Sequence, residues 1–266
     1  MSSGLLPRFA DILRTATEPE IAADVTLSGR LLLVQESLLS ISYAPFEHIQ
    51  LGARLAIVGI TPGAQQARDA LLEARRRLLN GNDHPSALKA AKTFASFSGS
   101  MRSNLVGMLD HVGLNRWMGV PSTADVWNSR HDLVHFTSAL RYPVFVGGKN
   151  YSGAPSMITT PVLREALLKN LGEEVAALPN AVWVPLGPKP AEGLGLLVKQ
   201  GLLSADQLIL GLPHPSGANA ERIAYFLGRK SRASLSNKTS PDAIEANRAR
   251  LCSQVAGLAK FSHPSL

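Results

Sequence analysis

Four short apolar segments, separated by stretches of helical periodicity, constrain the fold of this chain most strongly. Each is bounded by turn residues, and the four are Arg54–Gly59, Leu133–Ala139, Ala181–Leu186 and Gln207–Leu210. Helical periodicity occurs at Ala67–Leu79, Ser103–Val112 and Pro161–Ala177. Strands that alternate with helices predict an α/β fold, here a three-layer sandwich whose central four-stranded parallel sheet is flanked by helices.

The two ends of the chain add helices to this predicted core. Residues 1–50 are interpreted as a helical N-terminal extension with an extended exit at Ile41–His48, and residues 51–266 as the α/β core. Residues 241–260 form a closing helix with Pro241 near its start. A chain of 266 residues can bury one large core. We therefore expect a single domain that spans residues 1–266.

Composition narrows the classes of function. The formal net charge of +7 and the isoelectric point of about 9.8 favour polyanionic partners or membrane surfaces. The one cysteine, Cys252, excludes a disulfide framework, a zinc–thiolate site and a four-cysteine iron–sulfur cluster. No run approaches the roughly 18 apolar residues of a membrane helix, and no signal peptide is evident. We expect a cytoplasmic, nucleoid-associated monomer without metal or cofactor.

A histidine held between two prolines follows the last predicted strand. The segment Leu212–Asn219 reads LPHPSGAN, and a helix from about Ala220 to Leu227 follows it. This arrangement brings an imidazole and several free backbone N–H groups to one point, where an anion can be bound or made. His-Pro-Ser also occurs at His84 and His263, but neither copy follows a predicted strand.

Ligands of parallel α/β sheets bind beyond the carboxyl ends of the strands. The loops predicted there are Ile60–Gln66, Leu140–Ala154, Gly187–Pro190 and Leu212–Asn219. In the first, glycines flank a proline, and Thr61, Gln65 and Gln66 can hold water or a base edge. Its spacings fit neither a dinucleotide fingerprint nor a Walker loop. Taken alone, this loop and Gly187–Pro190 are better explained as tight turns.

Together, two of these motifs resemble the uracil-DNA glycosylase superfamily. They are Gly59-Ile60-Thr61-Pro62-Gly63 after the first predicted strand and His214-Pro215-Ser216 after the last. Two further segments support the resemblance. Residues 96–100 with Asn104-Leu105 and residues 113–116 are similar to the stretch that supplies the base-stacking phenylalanine, and residues 182–187 to the third strand. The resemblance covers about Arg54 to Gly228.

The resemblance implies a monofunctional DNA glycosylase, which flips a nucleotide out of the DNA and hydrolyses its N-glycosidic bond to leave an abasic site. His214 and Thr61 are the candidate catalytic residues: His214 stabilises the departing base, while Thr61, Gln65, Gln66 or a backbone carbonyl holds the attacking water. The implied base pocket comprises Gly59, Ile60, Gly63, Gln65, Ser138 and Phe97, which stacks on the base. The implied DNA contacts are Ser216, Gly217 and Asn219. The basic residues Lys149, Arg222, Arg229, Lys230 and Arg232 are further candidates for contact with DNA because of their charge.

Three positions depart from the uracil-specific pattern. Thr61 stands in place of the aspartate that orients water, Gly63 in place of a tyrosine wall, and Ser138 in place of the asparagine that reads uracil. These changes enlarge the pocket and alter the readout of the base. We therefore expect a damaged or C5-modified pyrimidine as substrate. A hypermodified cytosine of phage DNA is one candidate, and it would make the protein part of antiviral defence.

Three alternatives remain open at this point. The protein could instead be a uracil-excising repair enzyme, or a DNA-binding relative that has lost catalysis. An α/β enzyme that acts on a free nucleotide is the third. A Schiff-base role for Lys149, which would add strand cleavage, needs a desolvated amine and is disfavoured in a glycine-flanked loop. The sequence does not decide between double-stranded and single-stranded DNA.

Overall fold

A computed structural model of the chain describes residues 4–25, 29–96 and 100–258. The helices are α1 (Leu6–Thr15), α2 (Glu18–Asp24), α3 (Ala64–Leu79), α4 (His84–Ala95), α5 (Ser100–His111), α6 (Leu114–Met118), α7 (Pro161–Ala177), α8 (Pro188–Lys199), α9 (Ala220–Phe226) and α10 (Pro241–Ala256). The strands are β1 (Leu32–Glu36), β2 (Leu39–Ser42), β3 (Leu55–Gly59), β4 (Val134–Ser138), β5 (Val144–Val146), β6 (Lys149–Asn150) and β7 (Val182–Pro185). The chain divides into two compact units.

The parallel sheet confirms three of the four predicted strands. It has the order β4-β3-β7 and is flanked by helices, so the chain is a mixed α/β protein. In β3 and β7, Leu55 pairs with Val182 and Val58 with Pro185. The side chains of both strands are almost entirely buried. Because both faces of these strands are buried, their sequences are continuous apolar runs and do not alternate between apolar and polar residues.

The prediction of a fourth parallel strand at Gln207–Leu210 is wrong. Gln207 ends a short 3-10 helix, and only one bridge joins this segment to β7, where the Ile209 N–H donates to the Trp183 carbonyl at 2.9 Å. Gly211 follows with a φ of +118°, and a Cβ there would lie 3.2 Å from the Asn247 Cβ. The chain turns away after two residues because only glycine fits this conformation beside α10.

The first unit comprises residues 1–49, 59–96 and 136–177. Its core packs the apolar faces of α1, α3 and α4 around Tyr43 and Phe145, and the Phe9 and Tyr43 rings stack with centroids 4.2 Å apart. A capping box begins α2, since Thr17 and Glu20 exchange side-chain-to-backbone hydrogen bonds. The helical prediction for residues 1–50 is therefore confirmed for α1 and α2.

That prediction is wrong for residues 32–40, which lie in an antiparallel hairpin, whereas Ile41 and Ser42 at its end are extended as expected. β1 and β2 pair through Glu36 and Leu39. β2 also pairs with β5, and β5 with β6, so the sheet has the order β1-β2-β5-β6. The turn of the hairpin is Ser37-Leu38, and Ser37 has a φ of +53°. Hairpin turns of this length usually carry Asn-Gly or Asp-Gly. Neither dipeptide is present here. The sequence therefore gives no turn signal, and the surrounding apolar residues favoured a helix prediction.

A buried ion pair also belongs to the first unit. Arg141 is only 5% exposed and donates to the Glu174 Oε1 at 2.8 Å, the Glu173 Oε2 at 3.0 Å and the Asn170 carbonyl at 2.9 Å. The Glu174 carboxylate is fully buried. A buried charge is tolerated when it is paired and hydrogen-bonded in this way. Arg141 therefore ties the segment after β4 to α7.

The second unit comprises residues 50–58, 97–135 and 178–266. Its buried side chains include Trp183 of β7, Leu105 of α5, Leu194 of α8 and Phe226 of α9. Ser240 caps α10 by accepting from the Ala243 N–H, and Pro241 occupies the first turn as expected. α9 confirms the helix predicted after the histidine segment. The histidine segment therefore lies along the chain between residues 208–209, which are bridged to β7, and this short helix.

Candidate functional site

The predicted site residues fall into both units, and each set is described within its own unit. In the second unit, His214 is half-buried, and its Nδ1 accepts a hydrogen bond from the Ser216 N–H at 3.3 Å. A neutral imidazole has one N–H donor and one acceptor nitrogen. Because Nδ1 is the acceptor, the proton of neutral His214 lies on Nε2. The loop thus presents this histidine as a hydrogen-bond donor through Nε2.

Burial also determines the charge of His214. Desolvation lowers the pKa of this histidine below its ordinary value of 6.5. The imidazole is therefore neutral at pH 7. Protonation of Nδ1 would place a second N–H against the Ser216 N–H. The neutral state and the fold of the loop consequently stabilise each other.

Acid is expected to loosen this loop. Because the folded pKa lies below the unfolded value of 6.5, the unfolded chain takes up a proton at a higher pH than the folded chain does. The contribution of His214 to stability is therefore complete above pH 6.5 and falls as the pH drops toward the folded pKa. Hydrogen exchange of the Ser216 amide, corrected for its intrinsic rate, should accelerate between about pH 7 and 5. Constant protection across this range would contradict the prediction.

Two contacts within the second unit hold the histidine loop in place. The Asn104 amide of α5 donates to the Pro215 carbonyl at 2.9 Å, across 111 residues of sequence. Gly187, which follows β7 with a φ of +97°, lies against the ring, and a Cβ on it would be 3.7 Å from the His214 Cβ. Sequence analysis placed Asn104 in a motif but did not assign this contact. The partner is too distant along the chain for any local pattern to indicate it.

Three of the predicted DNA-contacting residues form a hydrogen-bonded chain. Ser216 begins the 3-10 helix Gly217–Asn219, and the Asn219 amide donates to the Ser216 hydroxyl at 3.4 Å. Arg222 of α9 then donates to the Asn219 Oδ1 at 3.0 Å. The structure thus places Ser216, Asn219 and Arg222 together. A hydroxyl, an amide and a guanidinium in sequence suit a backbone phosphate.

The basic loop after α9 is largely occupied by internal ion pairs. Lys230 donates to the Glu221 Oε1 at 2.7 Å, and Arg232 pairs with Asp242 at 2.5 Å. Glu221 also accepts from the Ser236 and Thr239 hydroxyls, and these bonds, with Lys230 first, hold the pKa of its carboxyl well below its usual range. Arg229 is exposed and forms no ion pair with a described carboxylate. Of these three predicted DNA contacts, Arg229 is therefore the one most available to a phosphate.

The predicted pocket residues of the first unit lie along two adjacent chain segments. The Ala139 N–H donates to the Gly59 carbonyl at 2.8 Å, and the Leu140 N–H to the Ile60 carbonyl at 3.0 Å. These bonds bring the loop after β3 beside Ser138, the last residue of β4. Ser138 is half-buried, and its hydroxyl has no hydrogen-bond partner among the residues that the structure describes. Its donor and acceptor capacity is therefore open to a ligand.

Thr61, in contrast, uses its hydroxyl within the fold. Its Oγ1 donates to the Tyr142 carbonyl at 3.0 Å and accepts from the Val144 N–H at 3.1 Å. A hydroxyl has one proton, and here that proton is engaged. Thr61 therefore pins the loop to the segment before β5, and toward water it has only acceptor capacity left. Its role in holding the attacking water stays a prediction.

The start of α3 contains the remaining first-unit residues. The Asn150 Oδ1 accepts from the Ala64 N–H at 2.9 Å, and its amide lies 3.5 Å from where a Cβ on Gly63 would be. Gln65 donates to Asp69 at 2.7 Å along the exposed face of the helix. Lys149 is exposed beside Asn150 in β6. The Lys149–Asn150 strand thus reaches the Gly63 loop, whereas the Gln65 side chain is engaged on its own helix. Phe97 lies outside the described residues.

Comparison with known proteins shows a relative in Bacillus subtilis. YoxB, an uncharacterized protein of Bacillus subtilis strain 168, is 36% identical to this chain over 209 residues, which cover 77% of this chain and 82% of YoxB. The chain belongs to the YoxB family. No family model and no solved structure matches it. YoxB is itself uncharacterized, so the function of this chain is inferred from the geometry of its site.

Within residues 4–25, 29–96 and 100–258, no helix combines the length and apolar character needed to cross a bilayer.

Proposed function

We propose that this member of the YoxB family is a monofunctional DNA glycosylase of the uracil-DNA glycosylase superfamily. The observation that carries the proposal is His214, a half-buried, neutral imidazole whose Nδ1 accepts from the Ser216 N–H, so that Nε2 is the donor. In hydrolysis of an N-glycosidic bond, the bonding electrons leave with the base, and water adds to the sugar carbon. Negative charge develops on the base, and an oriented N–H stabilises it.

A neutral donor suits this step. A preorganised hydrogen bond to developing charge needs no reorganisation when the bond breaks, and it acts most strongly where water is excluded. The Asn104 amide and Gly187 hold the loop before substrate arrives. The base anion afterwards takes up a proton and departs, and the sugar keeps the hydroxyl from water. An abasic site remains.

Two residues of the first unit support a base other than plain uracil. Gly63 has no side chain where the uracil-specific branch has a tyrosine wall, and the Ser138 hydroxyl is unpartnered among the described residues. A small residue leaves space for a substituent at C5, and a hydroxyl accepts or donates according to the base edge. We propose a damaged or C5-modified pyrimidine as the substrate. Hypermodified cytosine in phage DNA would meet this description and would assign the protein to antiviral defence.

The charge distribution supports DNA as the partner. The chain carries a net charge of +7, and in the second unit Arg222 and Arg229 form no ion pair with a described carboxylate. Uncompensated cations beside an anion-binding loop bind phosphates and release counterions. Binding should therefore weaken steeply as the salt concentration rises.

A panel of four duplexes tests the choice of base. They contain uracil, a thymine mismatch, hydroxymethylcytosine and glucosylated hydroxymethylcytosine, and each is also supplied as a single strand. We expect release of a C5-modified base at least about tenfold faster than release of uracil, because Gly63 and Ser138 admit the substituent. Release of uracil alone would contradict the proposed specificity. DNA binding without release from any substrate would favour the non-catalytic relative.

A further inference from the structure

A cavity lies in the second unit behind the histidine loop. It has a volume of about 360 Å³ and is bounded by the end of β7, the segment before His214, α9 and α10. Its apolar lining includes Pro185, Ala191, Leu212, Phe226 and Ile244. His214 does not line it. The cavity therefore excludes the donor that the proposed glycosylase reaction uses, although it shares Arg222 with the predicted DNA contacts.

Two guanidinium groups line the same cavity. Arg222 donates to the Asn219 Oδ1 at 3.0 Å and the Lys238 carbonyl at 3.2 Å. Arg250 donates to the Asn247 Oδ1 at 2.8 Å and the Leu210 carbonyl at 3.5 Å. All four acceptors are neutral, and neither arginine forms an ion pair with a described carboxylate. The two positive charges are thus oriented by the fold but not neutralised by it.

The backbone is shaped to this arrangement. Gly211 has a φ of +118°, and a Cβ on it would lie 3.1 Å from the Arg250 guanidinium and 3.2 Å from the Asn247 Cβ. Only glycine allows the chain to pass this close to α10 in this conformation. The close approach places the Leu210 carbonyl beside Arg250, where it helps to orient the guanidinium. The turn at Gly211, which itself lines the cavity, therefore positions Arg250.

We propose that this cavity binds a nucleoside monophosphate, with the phosphate between Arg222 and Arg250 and the ring in the apolar chamber. A phosphate monoester carries about −1.5 to −2 charges at pH 7, which matches two uncompensated guanidiniums, whereas a carboxylate carries one. Guanidinium binds phosphate through paired N–H donors. The volume lies near the lower end of the roughly 300–1,000 Å³ of small-molecule sites, which suits a single nucleotide.

Thermal shift and calorimetry on the full chain test the proposal with four probes. These are deoxycytidine monophosphate, deoxycytidine, inorganic phosphate and benzoate. The monophosphate should raise the melting temperature and bind at least tenfold more tightly than any of the other three, since it alone satisfies both the guanidiniums and the apolar chamber. Equal binding of the nucleoside would overturn the phosphate clamp. No effect of the monophosphate at millimolar concentration would overturn the site.

Matched variants separate this site from the glycosylase loop. Arg250→Gln should weaken monophosphate binding at least tenfold, because it removes one charged donor. Arg164→Gln, which removes the same charge from the exposed face of α7 in the other unit, should leave binding unchanged. His214→Ala should also retain binding, so the cavity can hold its ligand even if the proposed base excision fails. Unchanged binding by Arg250→Gln would contradict the inference.

Discussion

Replacing His214 by alanine is expected to slow base release by about 10²–10³-fold, the usual effect of removing one donor from a developing anion. The variant loses the Nε2–H and the Nδ1 that accepts from the Ser216 N–H, but it keeps the contact of Asn104 with Pro215. DNA affinity should therefore change little, and the melting temperature should fall only by the effect of one lost hydrogen bond. His214→Gln, which retains an amide donor, should recover part of the lost rate. Single-turnover release of free base from the preferred duplex measures all three proteins.

The chain supplies a matched control for this experiment. His84 begins α4 within a second His-Pro-Ser tripeptide, in the first unit. His84→Ala removes an imidazole from the same local sequence but from the start of a helix, and its rate should stay within about twofold of wild type, since it removes no donor to the base. Equal loss of activity in His84→Ala and His214→Ala would contradict a specific role for His214. So would an unchanged rate in His214→Ala.

Arg141→Met is expected to lower the free energy of unfolding by about 3–5 kcal/mol, because it removes the guanidinium that donates to the buried Glu174 carboxylate. Glu174 is fully buried and receives the Arg141 Nε–H at 2.8 Å. Arg141 also binds the Asn170 carbonyl, so its loss removes a tie to α7 as well. Urea denaturation followed by circular dichroism measures the change, with the midpoint shifting at constant slope.

Glu173→Gln is the control for Arg141. Glu173 contacts the same guanidinium at 3.0 Å but is 41% exposed, so its loss should cost at most about 1 kcal/mol. If Arg141→Met fails to fold, the double variant Arg141→Met with Glu174→Leu should recover part of the lost stability, since it also removes the buried carboxylate that Arg141 contacts. Equal stability of Arg141→Met and wild type would show that the buried pair contributes nothing.

The fold was predictable where burial is continuous or periodicity is long. β3, β4, β7 and α7 were found from sequence because parallel strands read as apolar runs and α7 spans 17 residues. The β1–β2 hairpin was missed because its Ser37-Leu38 turn lacks a glycine or asparagine signal. Residues 207–210 have a strand-like composition, but Gly211 turns them away after a single bridge. The packing of Gly211 against α10 therefore outweighs the strand propensity of residues 207–210.

The sequence predicts which residues belong to the candidate site better than it predicts their tautomers, hydrogen bonds and ion pairs. Sequence alone placed His214 in a rigid loop before α9. The tautomer of His214 depends on its acceptance from Ser216, and the engagement of Thr61 depends on Tyr142 and Val144, more than 80 residues away. The ion pairs of Lys230 and Arg232 likewise could not be predicted from the run of basic residues, because their acidic partners lie elsewhere in the chain. Contacts between distant segments decide which groups remain available to a ligand.

The most direct test of the central claim is the stoichiometry of base release. Wild-type protein is incubated with a hydroxymethylcytosine duplex, and its glucosylated form, after which free base is measured by mass spectrometry and abasic sites by an aldehyde-reactive probe. If the protein is a monofunctional DNA glycosylase that uses His214 as donor, one free modified base should appear for each abasic site. The DNA strands should break only after treatment with alkali. Full occupancy of DNA by the protein with no free base, from these or any other duplex of the panel, would contradict it.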